Sequence, residues 1–453
     1  MEEIGQQASV PLGSMAMGGN FHTITRNDLT TYVLEAGRRY WPAGAVPDDP
    51  CREDIDPGEL GSDWCYVELP EWAADIGIDG RLLVDRRSIA SGPGTDFERC
   101  DWFLAGFAHL SGIAQVKIER SLGPAHSYSF RLKGIPSDLF DRAWANRIML
   151  FIRRRAARLA GKEEDAFLGP MPEGQITLTH DVDALDKTVA IRLKQGLFNL
   201  FNLVRLLARG DIREARSAAL GASRMVFARL SYDHLETVAE MAEARGLISA
   251  FHLYAGRGAG NPGLRKWLFD PSYRIDDPRL LSFVRKYKER GFEFGLHPSF
   301  ESWNSTASIT REKEALERTL GVNAKTVRQH WLRFSWEGTW RAQSESGLSV
   351  DSTLGFNDRS GFRAGAALTY RPWDFVRNRP HDIAVLPLVL MDSHLYDYSP
   401  MTPTSRRAAM AGILGEVMRV GGEGAVLWHP HALASDYGWR EGFEDLLDLI
   451  SRQ

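Results

Sequence analysis

Residues Ile176–Asp183 read ITLTHDVD, an alternating apolar run that stops abruptly on Thr179, His180, Asp181, Val182 and Asp183. Alternation at period two is the pattern of a strand. Two carboxylates at its carboxyl end lie where barrels and open α/β sheets carry their chemistry. One acid can hold a divalent metal while the other takes a proton from water, the division of labour that metal-assisted hydrolysis requires. The same residues also suit a capped turn, because Asp satisfies free backbone N–H groups after a strand.

Further short apolar runs follow at Ile248–Tyr254, Phe292–Leu296, Lys325–Arg328, Ile383–Leu390 and Ala425–Trp428, with helical stretches such as Asp277–Arg290 and Ser308–Leu320 between several of them. Such alternation predicts parallel strands wrapped by helices, in a barrel or a doubly wound sheet. Parallel strands bring their carboxyl ends to one face, so the residues just beyond each run belong together.

Those residues are polar. Phe292–Leu296 runs into His297-Pro298-Ser299-Phe300-Glu301, and a proline at the first helical position would bring His297 and Glu301 onto one face, a spacing that can share a metal. Lys325–Arg328 continues into Gln329-His330-Trp331-Leu332-Arg333, which combines a possible ligand, two guanidinium groups and an aromatic face. That combination suits a sugar, whose C–H groups pack on aromatic rings while arginine donates to hydroxyls or acidic substituents. Ala425–Trp428 ends on His429-Pro430-His431, and His429 is a candidate general acid because imidazole titrates near neutrality. The Gly-rich loop Asp351–Gly365 adds Asp358 and Arg363 as candidates for substrate contact, with buried ion pairing as the competing account.

The chain of 453 residues is 43% hydrophobic and 25% charged, the composition of a globular protein with room for more than one domain. A net charge of −4 leaves no broad basic field for a nucleic-acid backbone. Cys51, Cys65 and Cys100 have neither zinc-site spacing nor an even count, which fits a reducing cytoplasm. The amino terminus starts acidic and no apolar run reaches membrane-spanning length.

Residues 1–165 read as a separate α+β unit with helical patterns at Asp101–Phe107 and Trp144–Leu159, bounded by the charged turn Gly161–Asp165. Residues 170–453 form the second unit. Within it Ala184–Gly246 reads as an inserted helical stretch, in which Lys187, Arg192, Lys194, Arg205 and Arg209 suggest peripheral contact with an anionic membrane or a lid, against the plainer reading of a buried helix or interface.

Taken in order, THDVD, GLHPSFE, RQHWLRF, DSTLGFNDRSGFRAG and LWHPH resemble divergent versions of the sequential motifs of polysaccharide deacetylases, the NodB-homology group or carbohydrate esterase family four. The resemblance implies a distorted (β/α) barrel of about seven parallel strands, here preceded by a smaller α+β domain. It also implies a divalent ion, zinc being expected, held by one aspartate and two histidines. Asp181 matches the family's base, whereas Val182 stands at its usual ligand position, so the metal falls to Asp183. His297 carries over from the second motif, but Glu301 replaces that motif's second histidine. The third ligand lies between Glu301 and His330. Arg328 corresponds to the arginine that orients the base, and His429 to the general acid. Trp331, Arg333, Asp358 and Arg363 are then candidates for binding an N-acetylated glycan. The implied reaction is hydrolysis of the acetyl amide on such a sugar. An inactive carbohydrate-binding scaffold, or a hydrolase of another C–N bond, would share the fold.

Overall fold

The computed structural model describes residues 21–44, 46, 53–188, 191–192, 231–256, 264–398 and 401–452. Twelve strands are numbered here in chain order among those residues. β1 (Trp64–Glu68) and β2 (Arg81–Asp85) form an antiparallel hairpin in the N-terminal part, and β8 (Trp373–Asp374) with β9 (Arg379–Pro380) forms a second small hairpin. The remaining eight make one sheet: β3 (Gln175–Val182), β4 (Ser249–Leu253), β5 (Glu293–Leu296), β6 (Thr326–Val327), β7 (Val350–Asp351), β10 (Ala384–Val385), β11 (Leu388–Met391) and β12 (Glu423–Leu427).

All neighbours in that sheet are parallel, in the order β10-β7-β6-β5-β4-β3-β12-β11. Its two edge strands are consecutive pieces of one chain segment, parted only by Leu386 and Pro387. Leu386 N–H and Leu388 N–H donate to Asp351 and Leu354 on one side, while Ala425 N–H donates to Pro387 on the other. The segment therefore bridges both edges and curls the sheet into a distorted barrel of seven runs. Helices Leu235–Glu243, Pro278–Lys288, Thr306–Leu320, Pro403–Arg419 and Arg440–Ser451 wrap it. Each buries apolar residues at helical spacing, as Leu280, Phe283, Val284 and Tyr287 do in the second of them.

β3 sits at the centre, paired with β12 and β4, and its last five residues are buried. Burial from both sides explains why its final turn can carry polar groups only if they find partners. Glycine makes room for one of them. Gly295 on β5 lies in register with His252 on β4, and a Cβ at Gly295 would stand 2.8 Å from the His252 ring.

The N-terminal helices Trp102–Leu110 and Trp144–Leu159 fall where the helical patterns were read. Their apolar faces share one continuous hydrophobic cluster with the barrel. Arg147 forms a buried ion pair with Glu416 of the barrel, 2.7 Å, and Asn146 bonds both the N–H and the carbonyl of Ala367. Of the stretch Ala184–Gly246, residues 189–190 and 193–230 lie outside the described ones, and with them Lys194, Arg205 and Arg209. Lys187 does not present a basic surface: it is buried in an ion pair with Asp436, 2.6 Å. No described helix is long and apolar enough to cross a membrane.

Candidate active site

At the carboxyl end of β3, Thr179, Asp181 and Asp183 alternate onto one face while His180 takes the other, packed against Phe251 and bonded to the Trp428 carbonyl. Asp181 is opposite His252 in register, with 3.2 Å between Oδ1 and His252 Nδ1. Arg328, at the end of β6, is fully buried. Its Nη1 donates to Asp181 Oδ1 at 3.1 Å and to Thr179 Oγ1 at 2.7 Å, and its Nε donates to the Ser352 carbonyl at 2.9 Å. Burial pushes the Asp181 carboxyl toward protonation, but Arg328 and the neighbouring His297 and His252 outweigh it and hold the acid well below the ordinary carboxylate range.

Asp183 lies just beyond the strand and meets three histidines. Its Oδ1 is 3.3 Å from His297 Nε2 and 3.4 Å from His330 Nδ1, and its Oδ2 is 3.6 Å from His429 Nε2. Oδ1 is buried and accepts no hydrogen bond from the described residues. Burial again opposes ionisation, and His330, His297 and His429 overcome it.

The two ligand-type histidines have their protons placed by backbone carbonyls. His297 Nδ1 faces the Arg328 carbonyl at 2.7 Å and His330 Nε2 faces the Phe269 carbonyl at 2.8 Å; a carbonyl can only accept, so each of these nitrogens carries its hydrogen. When the rings are neutral, as metal binding requires, the remaining nitrogens, His297 Nε2 and His330 Nδ1, are lone pairs, and they face each other at 2.7 Å. Only a shared proton or a cation makes that approach attractive. A carbonyl on the far nitrogen is the usual support of a metal-bound histidine. Asp183, His297 and His330 each offer an atom within 4.8 Å of the other two, and they fit a divalent ion with nitrogen and oxygen donors.

His429, beyond β12, completes the group. Its Nδ1 donates to the Asp392 carboxylate at 2.9 and 3.0 Å, and Asp392 also accepts from the His429 backbone N–H at 2.7 Å. Burial lowers the imidazole's proton affinity, but Asp392 and then Asp183 and Asp181 raise it, and the pKa is pushed up to about 10. Nε2 therefore points a proton at the site.

Several sequence expectations need correction. Glu301 stands outside the group, half-exposed and paired with Arg333 at 3.2 Å and Arg265 at 3.3 Å. Residues 299–305 do not continue as a helix from Pro298; the helix starts at Thr306, so the spacing that put His297 and Glu301 on one face does not arise. Arg363 is buried and spends its donors on Gln115, Ser127 and the carbonyls of Gly355 and His126. Asp358 accepts from the Ser129 backbone and hydroxyl at 3.0 and 2.7 Å. Both tie the barrel to the N-terminal part. Arg333 lies over the Phe300 ring at 4.1 Å, and Trp331 is 43% exposed with its ring centre 6.2 Å from that of His330, so both stay at the mouth.

Sequence reading missed Asp392 and His252. Asp392 follows the apolar run of β11 directly, the same signal that marked Asp181, His297 and His429. His252 is inside β4, where a lone histidine carries no signal of its own.

No family model matches the sequence, and no curated protein does. Solved structures do match. They include polysaccharide deacetylases, other family-four carbohydrate esterases and a family-four pseudoenzyme. A protein from Mycobacterium smegmatis assigned as a polysaccharide deacetylase is 18% identical, with 62% of this chain and 87% of that one covered and a TM-score of 0.36. The chitin deacetylase of Colletotrichum lindemuthianum is 12% identical over 62% and 85%, TM-score 0.31. A family-four pseudoenzyme from Bacillus anthracis is 12% identical over 62% and 60%, TM-score 0.26. The barrel assignment stands on the strand pairing itself.

Proposed function

We propose that this chain is a metal-dependent deacetylase of an N-acetylated sugar or polysaccharide. The observation that carries the reading is the convergence of Asp183 Oδ1, His297 Nε2 and His330 Nδ1, with both imidazoles fixed by carbonyls so that their lone pairs meet. Asp181 and His429 lie on either side of that set, one held ionised and one held protonated.

When bound there, a divalent ion supplies polarisation of the amide carbonyl and acidifies water to a pKa of roughly 7. The protein's own groups do the proton work. Asp181 accepts the proton of the water that adds to the acetyl carbonyl carbon. Arg328 keeps its carboxylate aimed and ionised, its Nη1 donating to Asp181 at 3.1 Å and held in place by Thr179 Oγ1 at 2.7 Å. His429 Nε2 gives its proton to the sugar nitrogen as the C–N bond breaks, and Asp392 stabilises the imidazolium before that transfer. Acetate and a free amine leave. Zinc fits the donor set.

The direct test is acetate release from N-acetylated oligosaccharides. The reading expects turnover that a chelator removes and added divalent metal restores. Tight sugar binding without any acetate release, indifferent to chelator, would support a binding scaffold in its place.

A further inference from the structure

The N-terminal part reaches the mouth of the site through residues 126–131. Ser127 Oγ donates to the Leu332 carbonyl at 2.6 Å, and Asn357 joins the Ser127 carbonyl at 2.7 Å to the Trp331 carbonyl at 2.9 Å. Phe334 N–H donates to His126 Nδ1 at 3.2 Å, and the Ser129 backbone and hydroxyl reach Asp358. His126, Trp331 and Leu332 all have left-handed backbone, with φ of 52, 57 and 47°. Non-glycine residues keep such conformations only where surrounding contacts over-determine them. Here the contacts come from both units, and they turn Trp331 outward while His330, its neighbour in sequence, points at Asp183.

The same segment leaves aromatic surface in the open. Phe130 is 63% exposed and lies 5.3 Å from Tyr128, centre to centre. Tyr398 is a further exposed ring, at 48%. Exposed rings beside a polar cleft mark a contact surface, and their flat faces suit the C–H faces of sugar rings.

We propose that Tyr128 and Phe130 of the N-terminal part, with Trp331, bind a sugar adjoining the one whose acetyl group is removed. The substrate is accordingly a chain of sugars, and the N-terminal part is a component of its binding surface. This rests on the deacetylase reading for the chemistry, but the platform itself is a binding claim.

The test compares Phe130→Ala with wild type on N-acetylated oligosaccharides of the gluco, galacto and manno series, as dimers and as hexamers. Acetate release and binding by tryptophan fluorescence are both recorded. Ile248→Ala is the control, because Ile248 is exposed just before β4, at the opposite end of the barrel. Phe130→Ala should lower kcat/KM on the hexamer about tenfold relative to the dimer, equal to roughly 1.4 kcal/mol. Ile248→Ala should not change that ratio. An equal fall at both lengths, or none at either, would overturn the platform and leave the deacetylase reading intact. Hexamer binding that weakens in Phe130→Ala while no protein releases acetate would keep the platform and overturn the deacetylase reading. Absence of both binding and release across the panel would overturn both.

Discussion

Asp181 and Asp351 each end a buried parallel strand, yet they are held in opposite ways. Asp181 meets Arg328 and two histidines and is kept ionised. Among the described residues Asp351 meets neutral donors, Trp340 Nε1 at 3.1 Å, Gln343 Nε2 at 2.9 Å and the Thr353 hydroxyl, and burial raises its pKa. The contrast extends to the cations. Arg328 bonds a carboxylate, whereas Arg363 bonds amide, hydroxyl and carbonyl oxygens. A polar residue at a strand's carboxyl end therefore announces chemistry only when the adjoining strands bring opposite charge or a converging ligand to it. The β3, β5, β6 and β12 ends do so. The β7 end braces the fold.

Substitution should separate these halves by what is lost. Asp181→Asn keeps the side chain's shape but cannot take a proton, so kcat should fall by about 10³-fold or more while bound metal and melting temperature hold. Metal lost from a folded Asp181→Asn protein would make Asp181 a ligand and erase its difference in role from Asp183. Asp392→Asn should cost about 10²-fold in kcat, and it should also change the pH profile. The acid must be protonated to act, and Asp392 helps to hold His429 near a pKa of about 10 against burial. Without that carboxylate the imidazole moves toward its ordinary 6.5, so the alkaline fall in rate should begin at lower pH. A profile that does not move would show that Asp392 only braces the loop.

Arg363→Met belongs to the other half. It leaves Gln115, Ser127 and two carbonyls without their buried donor, a loss of about 2–4 kcal/mol in stability. Thermal unfolding should register it as a Tm lowered by several degrees, with the metal content of the folded fraction kept. Loss of metal at unchanged Tm would place Arg363 in the site after all.

The parallel strands wrapped by helices were legible because the strands are short, apolar and regularly interrupted and their ends are polar, whereas the choice of a barrel over a doubly wound sheet came from the family resemblance. That single pattern marked Asp181, Asp183, His297, His330 and His429. It would have marked Asp392 as well had the residue after Leu390-Met391 been read by the same rule. Choosing His330 over Glu301 needed coordinates, since the choice depends on where the chain turns after Pro298 and on which carbonyls fix the imidazole protons. His252 was hidden for a different reason: its partner Asp181 is cross-strand, and the space for its ring comes from Gly295 on a third strand. The engagement of the N-terminal part with the mouth was likewise invisible, because hydrogen bonds such as Ser127 to Leu332 join residues far apart in sequence.

The most direct measurement is metal content per chain for wild type, His330→Ala and Glu301→Ala, each shown to be folded. The account predicts about one divalent ion in wild type and Glu301→Ala and none in His330→Ala. A wild-type protein that stays metal-free after zinc, cobalt or nickel is supplied would contradict it, as would metal that survives in His330→Ala and disappears in Glu301→Ala.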